Sequence, residues 1–160
     1  MLEMNECNIE IPELKTKFLF RRRPVAIPGD LRPAWRIGLL VLLLRKCCRS
    51  GRTSLARLHV LNWGIGAKEN RRNLKAAIDG GLAPDSLIIR FDPFLNRAVD
   101  FAIGEGLLRR SEGTRVGLTP RGRALAEELA QVETAYKDEK QFIDSIRQGV
   151  TETLVNQMFR

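Results

Sequence analysis

One stretch constrains the fold of this chain more than any other: FLNRAVDFAIGEGLLRRSEGTRVGLTPRGRALAEEL, residues 94–129. Just before it stands Asp92-Pro93, where the aspartate can accept from free backbone N–H groups and proline fits the first helical position, which needs no donor. Gly104 and Gly106 close that helix. Leu107 and Leu108 then enter a strand, Ser111-Glu112-Gly113-Thr114 supply turn chemistry, and Arg115-Val116-Gly117-Leu118 return as its partner. Thr119-Pro120 repeats the cap-plus-proline start. The helix it opens carries Leu125, Leu129, Val132 and Tyr136 at helical spacing.

A helix, a two-stranded wing and a second helix is the order in which a winged helix ends. The phrases GEGLLRR and RVGLTPRGRALAEEL resemble the segment that closes many bacterial winged-helix domains. The expected fold class is therefore mainly α with a small β element (α+β): a winged helix-turn-helix with an inserted helix and strand, plus a helical C-terminal extension. Winged helices include both DNA readers and purely protein-binding modules, so the fold does not choose the function.

Upstream, residues 1–30 read as an irregular, basic arm with prolines at 12, 24 and 28 and the triplet Arg21-Arg22-Arg23. The triplet suits phosphates or acidic protein. Asp30-Leu31-Arg32-Pro33 is expected to start a first helix that runs to about Arg49, apolar on nearly all sides and so central to the core. Its apolar run, residues 37–44, is far shorter than the roughly 20 residues needed to span a bilayer. Thr53 or Ser54 should cap a second helix, with Leu55, Leu58 and Leu61 inward and a break at Gly64-Ile65-Gly66. Residues 67–79 form a third, whose Lys68, Arg71, Arg72 and Lys75 make a basic stripe. Leu87-Ile88-Ile89-Arg90-Phe91 reads as a strand pairing with the wing. The expected units are the arm (1–30), the winged-helix domain (31–130) and the amphipathic extension (131–160). In that extension Phe142, Ile146, Val150, Leu154 and Met158 recur at every fourth position. The stripe can fold back, pair in a homodimer or dock on another subunit.

The formal net charge of +8 and pI near 10.0 favour an acidic partner, nucleic acid first. Residues 15–57 carry twelve bases against Asp30 alone, so the positive field concentrates in the first third. Three cysteines make no disulfide framework, which points to a reducing, cytoplasmic setting.

The insertion after the second helix, with RPAWRIGLLVLLL and HVLNW…IIRFDPFLNRAVDFAIGEGLL, resembles the small middle components of bacterial ABC-type three-component defence systems, including those of Lamassu type. The likeness covers about residues 31–130 and rests on element order and short phrases. It implies a non-catalytic adaptor that holds an SMC-like ATPase and its effector subunit together. The alternative is a winged-helix transcription regulator.

No catalytic constellation stands out. His59 is the sole histidine and has no carboxylate at helical spacing; the cysteines lack a zinc pattern; Walker and Gly-x-Ser-x-Gly motifs are missing. No enzyme activity, cofactor or metal is expected. In the helix before the wing, Leu95, Ala98, Val99, Ala102 and Ile103 share an apolar face, and Asn96, Arg97, Asp100 and Gly104 lie opposite. That polar face is nearly neutral and poorly suited to DNA. Phe94 and Phe101 flank the apolar face and widen it to about 200° at 100° per residue. The expected partner-binding residues are Phe94, Arg97, Phe101, Phe142 and Ile146. The residues expected to meet DNA backbone, without reading bases, are Lys68, Arg71, Arg72, Lys75, Arg109, Arg110 and Arg115.

Overall fold

The computed structural model describes residues 8–10, 17–19 and 32–159. The arm expected over 1–30, with its arginine triplet, lies outside these residues except for two short strands, β1 (Asn8–Glu10) and β2 (Lys17–Leu19). These pair antiparallel, Ile9 opposite Phe18.

The core is built around α1 (Pro33–Cys47). Residues 39–44 are all 3% exposed or less, as the all-round apolar pattern requires. Burying each leucine contributes on the order of 2 kcal/mol, so this helix anchors everything packed on it. It ends two residues short of the expected Arg49, and a 3-10 turn, Arg49–Gly51, leads into β3 (Arg52–Ser54). That strand was not anticipated.

Ser54 rather than Thr53 caps α2 (Leu55–Gly66), its hydroxyl accepting from the Arg57 N–H at 3.1 Å. The helix continues through the Gly64-Ile65-Gly66 stretch expected to break it. α3 (Lys68–Ile78) follows at once.

The expected strand over 87–91 does not form. β4 (Leu108–Ser111) and β5 (Arg115–Leu118) make the wing, and β3 takes the free edge of β5 to give the antiparallel order β3-β5-β4. Residues 87–91 pack sideways instead. Leu87 is buried, and the Phe91 ring stacks on His59 at 4.3 Å and meets Phe159 edge-on at 5.4 Å. A first helix, a short strand, further helices and a wing whose far strand pairs with that short strand define a winged-helix-like α+β domain.

α4 (Pro93–Gly104) and α5 (Pro120–Gln131) start as their caps require: Asp92 accepts from the Phe94 N–H and Thr119 from that of Gly122. α5 stops before Val132, which is 44% exposed. Tyr136 leaves the helical period by adopting a left-handed backbone (φ 55°), and its hydroxyl then donates to the Trp35 carbonyl at 2.8 Å. This close approach needs Gly38, because a Cβ there would lie 2.1 Å from the Tyr136 hydroxyl.

The C-terminal stripe folds back. α6 (Lys137–Ile146) and α7 (Glu152–Met158) bury Phe142, Ile143, Ile146, Val150, Val155 and Met158 in the same core cluster as α1. No helix among the described residues is long and apolar enough to cross a membrane.

Candidate docking edge and arginine cleft

α4 occupies the position before the wing where a DNA reader carries its recognition helix. A polar knot fixes its start. Asp92 Oδ1 accepts from the Phe94 N–H at 2.9 Å, while Oδ2 accepts from Arg36 at 2.5 Å. His59, 2% exposed, accepts the Asp92 N–H at Nδ1 (3.3 Å) and meets Asn96 Oδ1 through Nε2 (3.0 Å). A backbone N–H can only donate, so Nδ1 is bare, Nε2 carries the proton and the ring is neutral. Burial pushes the His59 pKa down, in keeping with that tautomer. Burial alone would raise the Asp92 pKa, but the Arg36 and Phe94 hydrogen bonds and the Arg36 charge together hold it below the usual carboxylate range.

The polar side chains of α4 are thereby engaged within the chain. Asn96 holds His59; Asp100 pairs with Arg110 of β4 at 2.7 Å; Arg97 sits over the Phe94 ring at 5.8 Å. The Asn and Arg groups of the kind that read base edges are turned to internal partners. Leu95, Ala98, Val99 and Ala102 are buried as their periodicity requires, and Phe94 and Phe101 remain 54% and 56% exposed. With Pro33, Arg36, Arg97 and Ala98 they line a notch of about 220 Å³. Arg36 also lies over Phe94, at 5.5 Å, and leaves a buried Nε without a partner.

Two of the expected partner-binding residues lie elsewhere. Phe142 and Ile146 are 8% and 4% exposed and belong to the chain's own core, because α6 packs on α1 and α3 and covers the stripe that looked free in the sequence.

Arg71, Arg72 and Lys75 line one depression and Arg109, Arg110 and Arg115 another, and the two share no lining residue. On α3 the stripe is partly used up internally. Arg71 donates to the Ile65 carbonyl at 3.0 Å, pairs with Glu139 and lies over the Phe142 ring, and Lys75 pairs with Asp79. Arg71 thus acts as a brace between α3 and α6, whereas Lys68 and Arg72 stay exposed.

The other depression, about 690 Å³, lies against the wing sheet. Arg109, Arg110 and Arg115 line it as part of the wing, together with Arg49, Arg52 and Arg57, which sequence reasoning did not single out. Their only signal was the excess of bases over residues 15–57; nothing local said that β3 would carry them to the wing. Three of the buried side-chain polar atoms without a partner, Thr53 Oγ1, Arg57 Nε and Ser111 Oγ, belong to residues of this lining. A buried donor without a partner costs roughly 1 to 3 kcal/mol, more when charged, so the Arg57 guanidinium carries an unmet demand for an acceptor. Cys47 is buried beneath, and burial pushes its thiol up to about 12, far from a reactive thiolate.

No family model, curated protein or solved structure matches this chain.

Proposed function

We propose that the chain is a non-catalytic winged-helix adaptor that uses the exposed edge of α4 against a protein partner. The observation that carries this reading is the pair Phe94 and Phe101, half exposed on a helix whose polar side chains already have partners within the chain. Large aromatic side chains beside a notch are the usual anchors of protein interfaces. The partner chemistry follows from the lining: an apolar side chain to enter between the rings, and a carbonyl or carboxylate nearby for the exposed Arg97. The resemblance of residues 31–130 to middle components of ABC-type defence systems makes an SMC-like ATPase or its effector subunit the partner to test first. A base-reading transcription regulator is less well supported, because Asn96 and Asp100 would have to abandon His59 and Arg110 before reaching DNA. Contact with DNA backbone remains a secondary role for the exposed Lys68 and Arg72. The test is co-purification from the native operon with wild-type protein and with Phe94→Ser/Phe101→Ser. Loss of an ATPase or effector band from the variant alone supports the reading; equal recovery from both sinks it.

A further inference from the structure

We propose that the cleft over the wing sheet binds clustered phosphates, of the kind found at the end of a di- or triphosphate, rather than tracking a duplex backbone. This inference does not rest on the adaptor reading. Sheet register groups the charges. Arg52 and Arg109 both lie opposite Gly117, and Ser54 and Ser111 both lie opposite Arg115. Side chains alternate between faces with period two, so Arg52, Arg109, Arg115 and Ser111 share one face, while Val116 and Leu118 turn to the core. The Arg52 γ-carbon lies 3.0 Å from the point where a Cβ on Gly117 would stand, so the missing side chain lets the Arg52 stem lie over the middle strand. Arg49 from the preceding turn and Arg57 from the first turn of α2 complete the lining.

Two carboxylates, Glu112 and Glu152, share the lining with six arginines. Among the described residues, none of Arg49, Arg52, Arg57, Arg109 and Arg115 forms an ion pair. The carboxylate of Glu152 is taken up by Ser54, through its N–H at 3.2 Å and its hydroxyl at 2.8 Å. Arg57 is decisive. It lines the cleft while only 8% exposed, donates one amino group to the Cys47 carbonyl at 2.7 Å and has its Nε buried without a partner. A desolvated guanidinium with a free N–H is completed by a phosphate oxygen, and planar arginine forks match phosphate geometry. Several guanidiniums converging on one concavity suit several charges on one small group. A duplex spreads its charges along the helix axis, and contact through α4 and the wing would leave this concavity unfilled. Arg110 also lines the cleft, but its register position is on the core-side face and its guanidinium pairs with Asp100 of α4. The phosphates could be those of a free nucleotide or of a nucleic-acid strand end.

The test uses the full chain in phosphate-free buffer at fixed ionic strength, with titration calorimetry. The probes are inorganic tripolyphosphate, ATP, adenosine, a 5′-triphosphorylated oligonucleotide, its 5′-hydroxyl form and a random duplex. Tripolyphosphate and ATP are expected to saturate one site and adenosine to show none. Arg52→Ser/Arg109→Ser is expected to weaken binding by about tenfold or more, with the melting temperature kept, since both side chains are exposed. Lys68→Ser/Arg72→Ser should leave it unchanged. Tighter binding of the triphosphorylated oligonucleotide than of ATP assigns the site to strand ends; the reverse assigns it to free nucleotides. The proposal is overturned if tripolyphosphate fails to saturate a site at millimolar concentration. It is equally overturned if the hydroxyl oligonucleotide or duplex displaces tripolyphosphate, or if both double variants weaken binding alike.

Discussion

α4 and the wing sheet are neighbours in one small domain, yet they treat charge in opposite ways. Along α4 the polar groups find partners inside the chain: Asp92 with Arg36, Asn96 with His59, Asp100 with Arg110. What remains unpartnered at the solvent edge beside them is aromatic, Phe94 and Phe101. On the wing sheet Arg49, Arg52, Arg57, Arg109 and Arg115 outnumber the two carboxylates of the cleft, Glu112 and Glu152, form no ion pair among the described residues, and include one guanidinium buried with an unpaired N–H. A winged helix that read DNA would be expected to join these properties into a single basic surface running from the helix to the wing. Here they are separated, which favours a protein on one side and a compact anion on the other.

The largest expected effect sharpens the distinction between a core aromatic and a docking one. Phe142→Ala should lower stability by about 3 to 5 kcal/mol in urea unfolding, whereas Phe101→Ala should stay within about 0.5 kcal/mol of wild type. Equal losses would erase the difference between the two sites. Next comes the knot that orients α4. Asp92→Ala removes the helix cap and leaves Arg36 without its carboxylate, for an expected loss of about 1 to 2 kcal/mol. A variant as stable as wild type would mean that α4 is held by its apolar face alone.

A smaller effect follows from pH. The folded His59 pKa lies below its ordinary value near 6.5, so below that value the unfolded chain binds more protons than the folded one. Its stabilising contribution is complete above the ordinary histidine value and is lost as pH falls from there towards the folded pKa. The urea midpoint should therefore drop between pH 7.5 and pH 5.5 in wild type, and His59→Gln should flatten the dependence. A midpoint that rises on acidification would contradict the neutral tautomer. Smallest of all is Asp100→Asn. The pair with Arg110 is well exposed and worth no more than about 0.5 kcal/mol after solvent screening, but freeing Arg110 should modestly strengthen polyanion binding at low salt. Unchanged binding would place Arg110 outside the cleft's electrostatics.

Much of this arrangement was legible because it is local. Asp92-Pro93 and Thr119-Pro120 carry helix starts in two residues each, the wing turn is written in Glu112-Gly113-Thr114, and the apolar run of α1 can only be core. β3 escaped notice because three residues, Arg52–Ser54, are too few for an alternation to register. Its pairing with β5 spans more than sixty positions of sequence. The same separation hid the cleft, whose two sets of arginines meet only through that pairing. The run 87–91 has strand composition, but the edge it would take is filled by β3. The every-fourth-residue stripe after Tyr136 was readable as amphipathic; what covers it was not, because periodicity states that a face is buried and never against what. Phe94 and Phe101 were placed at the margin of the apolar face by helix geometry alone, and the side chains lie there.

Amide hydrogen exchange on the chain bound to a co-purified partner, compared with the free chain, tests the separation of the two faces most directly. New protection is expected across α4 (Pro93–Gly104) and the start of α1 near Pro33, with the amides of β4 and β5 exchanging as they do in the free protein. Protection confined to β4 and β5, with α4 unchanged, would contradict the assignment of α4 as the docking edge.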